Sequence, residues 1–212
     1  MRIFSYSAAS LLAAVTVALA LQGAARADND CGSLANSFGP FDYRSARKAD
    51  KQVVESHHFD ANVESLKRGV TDTRIAHDID YTLRVFPNHP RALWAISRLS
   101  LREKRNHLPG ANYTVDCYFD RAIRFQPDDA RVRLVYGLHL VREGKRENAV
   151  DQLEKAGKLG ENVADIRYNL GLAYFDLKNY DRALAEAKLA YGMGFPLPGL
   201  RDKLKSVGKW QD

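Results

Sequence analysis

The 212-residue sequence predicts an all-α fold, an α-solenoid of stacked antiparallel helix pairs preceded by an irregular N-terminal arm. Three observations carry this prediction. The chain repeats itself at an offset of 34 residues: Tyr136-Gly137 falls on Leu170-Gly171, Ala149 on Ala183 and Ala156 on Ala190. Self-similarity at such a period marks stacked repeats. The recurring residues are small, and glycine or alanine lets a facing helix approach where a larger side chain collides. Each unit is also interrupted by a short turn, Glu143-Gly144-Lys145 or Leu177-Lys178-Asn179, containing a residue tolerant of positive φ. Two-helix units cannot bury their apolar faces alone, so they stack.

Along the chain, residues 1–27 read as a secretory signal. Arg2 supplies the positive start, an apolar run follows over 8–21, and Ala25-Arg26-Ala27 is a small-x-small cleavage pattern. The expected cut lies between Ala27 and Asp28. Residues 28–69 form the arm and short helices over 47–58 and 61–68, with Asp60 as N-cap of the second. Residues 70–90 hold a partial repeat in which 79–87 end a helix at Pro87. A degenerate repeat spans 91–129, with a loop insertion at Pro109-Gly110. Two clear repeats follow, 130–163 and 164–197. Residues 198–212 supply a capping helix, with Arg201, Lys203 and Lys205 facing outward.

Numbered from Ala130 or Ala164, each clear repeat carries glycine at position 8 and alanine at 20 and 27. Tyr174 fills position 11, within Tyr168-Asn169-Leu170-Gly171-Leu172-Ala173-Tyr174. This pattern resembles the tetratricopeptide repeat, over about 90–197. In the degenerate copy Trp94 is placed on position 4, which puts Arg98 at the glycine position and Ala92, Ala95, Leu99, Arg102 and Glu103 on the groove. The resemblance implies binding of an extended peptide or partner surface in a concave groove. Positions 2, 5, 9, 12 and 13 would line it: Arg131, Leu134, Leu138, Val141 and Arg142, then Asp165, Tyr168, Leu172, Phe175 and Asp176. Asn169 would offer an amide to a ligand backbone. Tyr168 and Phe175 are the expected anchors, with Arg131 and Arg142 setting orientation.

Other classes are excluded or disfavoured. The net charge of +6 is spread along the chain, and removing Arg2 and Arg26 with the signal leaves +4 over 185 residues. No nucleic-acid partner is needed to explain that balance, and no stable membrane insertion is expected once the signal is cleaved. GxSxG, HExxH, Walker A and dinucleotide motifs are absent, so no catalytic residue, enzyme activity or cofactor is expected. The adjacent His57-His58 point about 100° apart on a helix. His77 with Asp80 makes half a site, and His139 reads as a packing residue, so no metal is expected. Both cysteines, Cys31 and Cys117, lie in the exported part, and an even number in an oxidising compartment predicts one disulfide.

The leading expectation is a periplasmic, non-catalytic adaptor or scaffold that resembles exported bacterial members of the family and binds a protein or peptide partner. An accessory protein that binds a small ligand, metal or haem through the N-terminal histidines is a second reading. A homo-oligomer built by stacking of end repeats is a third.

Overall fold

The computed structural model describes residues 31–211, which form ten α-helices and no strand. The signal and its cut between Ala27 and Asp28 lie outside the described residues. The helices are α1 (Lys48–His58), α2 (Ala61–Glu64), α3 (Ile75–Val85), α4 (Pro90–Glu103), α5 (Val115–Phe125), α6 (Ala130–Arg142), α7 (Arg146–Leu159), α8 (Ala164–Asp176), α9 (Tyr180–Gly192) and α10 (Gly199–Ser206). The dominant pairs are α6 with α7 and α8 with α9. The first helices of successive pairs, α4, α6 and α8, pack side by side. Further upstream α1 packs on α3 and is the partner that the partial repeat needed.

Short polar residues set the helix starts. The Asp129 carboxylate accepts the Arg131 and Val132 N–H groups at the head of α6. Thr114 caps α5, Asn179 caps α9, and Asp60 accepts from Asn62 and Val63 of α2. The helix expected over 61–68 ends early, because Leu66 turns to a φ of 60°.

The structure shifts the register of the degenerate repeat by one residue. With Pro90 of α4 aligned to Ala130 of α6 and Ala164 of α8, the glycine position falls on Ser97, which is fully buried. It does not fall on Arg98. Ala92, Ala95 and Leu99, expected on the groove, are 0%, 0% and 1% exposed. One residue rotates a helix by about 100°, and that rotation carries all three into the core. Position 15 confirms the alignment. Lys104, Gly144 and Lys178 all adopt left-handed backbone there, with φ of 53°, 76° and 61°. The tight turn therefore falls on Lys178, where only a helix-ending geometry explains a residue ill suited to positive φ.

Small residues sit where helices meet. A Cβ on Gly137 would lie 2.7 Å from Leu153 of α7. One on Gly171 would collide with Leu200 of α10 and lie 3.3 Å from the Ala183 carbonyl of α9. Ala149, Ala156, Ala183 and Ala190 are all fully buried. The last pair is covered by Leu200 and Leu204 of α10, both fully buried. Arg201, expected to face outward, instead lies between the rings of Tyr191 and Trp210, 4.6 and 5.2 Å from their centroids.

The N-terminal arm is tied down covalently and by hydrogen bonds. Cys31 and Cys117 form a disulfide across a sequence separation of 86. Arg121, 2% exposed, donates from Nη1 to the carbonyls of Cys31 and Ser33 at 2.8 and 2.7 Å. Phe41 and Tyr43 pack on Phe86, and the Tyr43 N–H donates to Asn88 Oδ1.

A buried histidine makes this end of the molecule sensitive to pH. His89 caps α4: Nδ1 accepts the Ala92 N–H and Nε2 faces Glu55 Oε1 at 3.2 Å. Both ring nitrogens are used by the neutral tautomer, leaving no lone pair for a second proton. Burial pushes His89, and likewise His58, below the ordinary histidine range. Hydrogen bonds from His89 and Tyr43, with the charge of Arg91, hold Glu55 down at about 2. An unfolded histidine takes up its proton near pH 6.5, where these folded ones do not. The unfolded state then binds more protons, so stability falls as pH drops below about 6.5. Glu55 adds a further loss from about pH 4.5 toward 2. Thermal melts between pH 7.5 and 5 should show a falling midpoint throughout the acid half, and a flat profile would refute the assignment of neutral histidines.

Candidate functional site

The three leading helices α4, α6 and α8 together form one side of a groove of about 450 Å³. Its floor is apolar: Trp94 from α4, Leu134, Val135 and Leu138 from α6, and Leu172 from α8. The geometry follows from the repeat. Positions 5 and 9 of a leading helix lie about one turn apart and share a face, and parallel stacking lines those faces up. In α4 the corrected register brings Arg91, Trp94, Arg98 and Arg102 to positions 2, 5, 9 and 13.

Charges ring this floor. Arg131 pairs with Asp165 at 2.5 Å, and Arg91 pairs with Glu55 and Glu64 at 2.9 and 2.7 Å. Arg98 and Arg102 donate to the backbone carbonyls of Glu64 and Leu66, so the segment after α2 is fastened beside α4. Arg142 differs. Its guanidinium lies 4.3 Å from the centre of the Trp94 ring and reaches only the Leu138 carbonyl, at 3.5 Å. Among the described residues it has no carboxylate within ion-pair distance. Burial pulls Arg142 below its ordinary range, with Asp176 opposing. Lys203 of α10 closes the far end, its ammonium 5.0 Å from the Phe175 ring.

Seven residues expected on the groove line it: Arg131, Leu134, Leu138, Arg142, Asn169, Leu172 and Asp176. Asn169 is turned partly inward, its Nδ2 donating to the Asp165 carbonyl at 2.7 Å. Two do not line it. Tyr168 is 7% exposed and stacks on Phe195 at 4.4 Å, with Tyr191 edge-on at 6.4 Å. Phe175 packs against Tyr180 at 5.2 Å and beneath Lys203. The cause is α10. As the last pair has no further repeat to cover it, α10 takes that place, and the α8 aromatics become its seat. Conversely Trp94 and Arg91 enter the groove only through the corrected register. Lys203 enters because α10 folds back.

Residues 117–188 match a family model of tetratricopeptide-like repeats described as Anaphase-promoting complex, cyclosome, subunit 3. A comparison with curated proteins finds no match. The match begins in α5 and ends in α9, so it covers both clear helix pairs and their junctions with the preceding pair. Repeats of this type generally serve protein–protein interaction and are generally non-catalytic. The 34-residue period, the paired helices with small residues at their crossings and the family match agree that residues 117–188 are similar to tetratricopeptide repeats.

Proposed function

We propose that this protein is an exported, non-catalytic adaptor that holds a short segment of a protein partner in the groove between α4, α6 and α8. The observation that carries the reading is Arg142, whose guanidinium lies on the Trp94 face at the groove, with an apolar floor beside it and no carboxylate in ion-pair range among the described residues. A partner segment that brings one apolar side chain and one carboxylate satisfies both features at once. Aromatic and arginine side chains of this kind dominate binding energy at interfaces, and a guanidinium takes a carboxylate in two parallel hydrogen bonds. Export to the periplasm is supported by the charged start, apolar run and cleavage pattern of residues 1–27. A single disulfide suits such an oxidising compartment.

The test places a photo-crosslinking amino acid at Trp94 and, separately, at Leu189, an exposed residue of α9 away from the groove. In intact cells a discrete partner should be captured from position 94 only. Arg142→Glu should weaken that capture at least tenfold, about 1.4 kcal/mol or more, with the helical spectrum unchanged. Equal capture from Leu189 would move the binding surface off the groove. Sequencing of the mature N-terminus from fractionated cells should begin at Asp28 and be found in the periplasmic fraction.

A further inference from the structure

A second site lies on the other side of α6, away from the groove. His139 is 0% exposed, and its Nε2 is buried with no hydrogen-bond partner. That atom faces two carboxylate oxygens: Glu143 Oε1 at 3.6 Å and Asp116 Oδ1 at 4.0 Å. All three atoms lie within 4.8 Å of one another. The geometry points to a divalent transition-metal site, with His139, Asp116 and Glu143 as its three protein ligands.

Each ligand is oriented by a group behind it. The His139 Nδ1 lies 2.9 Å from Ser97 Oγ, and with the proton on Nδ1 the Nε2 lone pair points at the carboxylates. Asp116 has its other oxygen, Oδ2, held by Asn106 Nδ2 at 2.8 Å. Glu143 has its other oxygen, Oε2, paired with Lys145 at 2.7 Å. In both acids the outer oxygen is occupied and the inner one is left for the ion. Such outer hydrogen bonds are the usual means of fixing metal ligands. The imidazole plane is set by stacking on Phe119, with ring centres 5.1 Å apart.

The distances suit the chemistry. Ligands held about 2.0–2.1 Å from one tetrahedral ion lie about 3.3 Å apart, so Glu143 is nearly in place against His139, and the two carboxylate oxygens, within 4.8 Å of each other, close on an ion by side-chain movements of up to about 1.5 Å. Two carboxylates balance the charge of a divalent ion. A fourth position opens into the adjoining cleft beside Ser100 and Asn106, which gives an entry path and room for a water. Lys104, Arg105 and Lys145 also line that cleft. Selection rests on the ligand type, since imidazole favours a borderline ion such as zinc over magnesium or calcium.

Helix packing does not demand these residues. One repeat further on, the positions of Asp116, His139 and Glu143 carry Val150, Ala173 and Leu177. The same junction is therefore built there from apolar side chains alone. The cluster is a local addition to the repeat.

The full mature chain, stripped with a chelator, is titrated with zinc chloride against a chromophoric competitor at pH 7.5. One equivalent should bind, with no competition from a large excess of magnesium. The double variant Asp116→Asn/Glu143→Gln, whose altered side chains are partly exposed, should lose affinity at least a hundredfold while keeping its helical spectrum. Asn106→Ala should lose about ten- to hundredfold. His57→Ala/His77→Ala should bind as the parent does. Absence of a stoichiometric site overturns the proposal. So does zinc binding that survives the double variant but is lost with His57 and His77.

Discussion

Breaking the Cys31–Cys117 disulfide should cost about 4–5 kcal/mol of folding stability, since it closes a loop of 86 residues in the unfolded chain. That chain spans the whole N-terminal half of the described molecule, from the arm through α4 into α5. In the folded protein the arm has further restraints. Arg121 holds the Cys31 and Ser33 carbonyls, and Phe41 and Tyr43 pack on Phe86. The native contacts therefore persist after reduction, and the loss comes from the greater freedom of the unfolded state. At 2–4 °C per kcal/mol for a chain of this size, the midpoint should fall by about 10–20 °C. Urea titration of the oxidised protein and of a Cys31→Ser/Cys117→Ser variant checks this. Hydrogen exchange over residues 31–46 should rise more than exchange in α6 to α9. A change below 1 kcal/mol would mean that the unfolded chain is already held compact by other means.

How much of this molecule was legible in its sequence depended on how regular the repeat was. The two clear pairs were readable because glycine and alanine recur where helices cross, and those positions tolerate nothing larger: Gly137 meets Leu153, and Ala149 and Ala183 are fully buried. The degenerate pair was read one residue out of step. Placing Trp94 on position 4 puts Arg98 on the glycine position, whereas Trp94 lies at position 5, at the groove under Arg142. Ser97 stands in for the glycine, and serine at that place carries no signature until burial is known. Helix α1, the partner of α3, had no small-residue register to announce it. The cluster at His139 was invisible for a different reason: Asp116 and His139 belong to different helix pairs, and only their packing brings them together. A motif at fixed spacing reports one helix, not two.

The C-terminal helix was recognised as a cap, but what it covers was not, and this reverses the expected behaviour of Tyr168. Tyr168→Ala should lower folding stability by about 3–5 kcal/mol, as for other buried aromatics cut to alanine. The ring stacks on Phe195 and meets Tyr191 edge-on. A Cβ on Gly199, the first residue of α10, would lie 3.0 Å from its hydroxyl. Removing the ring leaves a cavity beneath the start of α10, and Leu200 and Leu204 lose part of the surface they are buried against. The loss should therefore be local first. Exchange protection of α10 and of the end of α9 should fall before that of α6 and α7. Trp94→Ala makes the contrast, because that ring is half-buried at the edge of the core, with Arg142 over its groove face. It should reduce partner capture and lower the melting midpoint less than Tyr168→Ala does. Denaturant titration of both variants, with exchange measured over α8 to α10, separates the roles. An unchanged midpoint in Tyr168→Ala would show that α10 leaves this face open in solution, and Tyr168 would then return to the binding surface as its aromatic anchor.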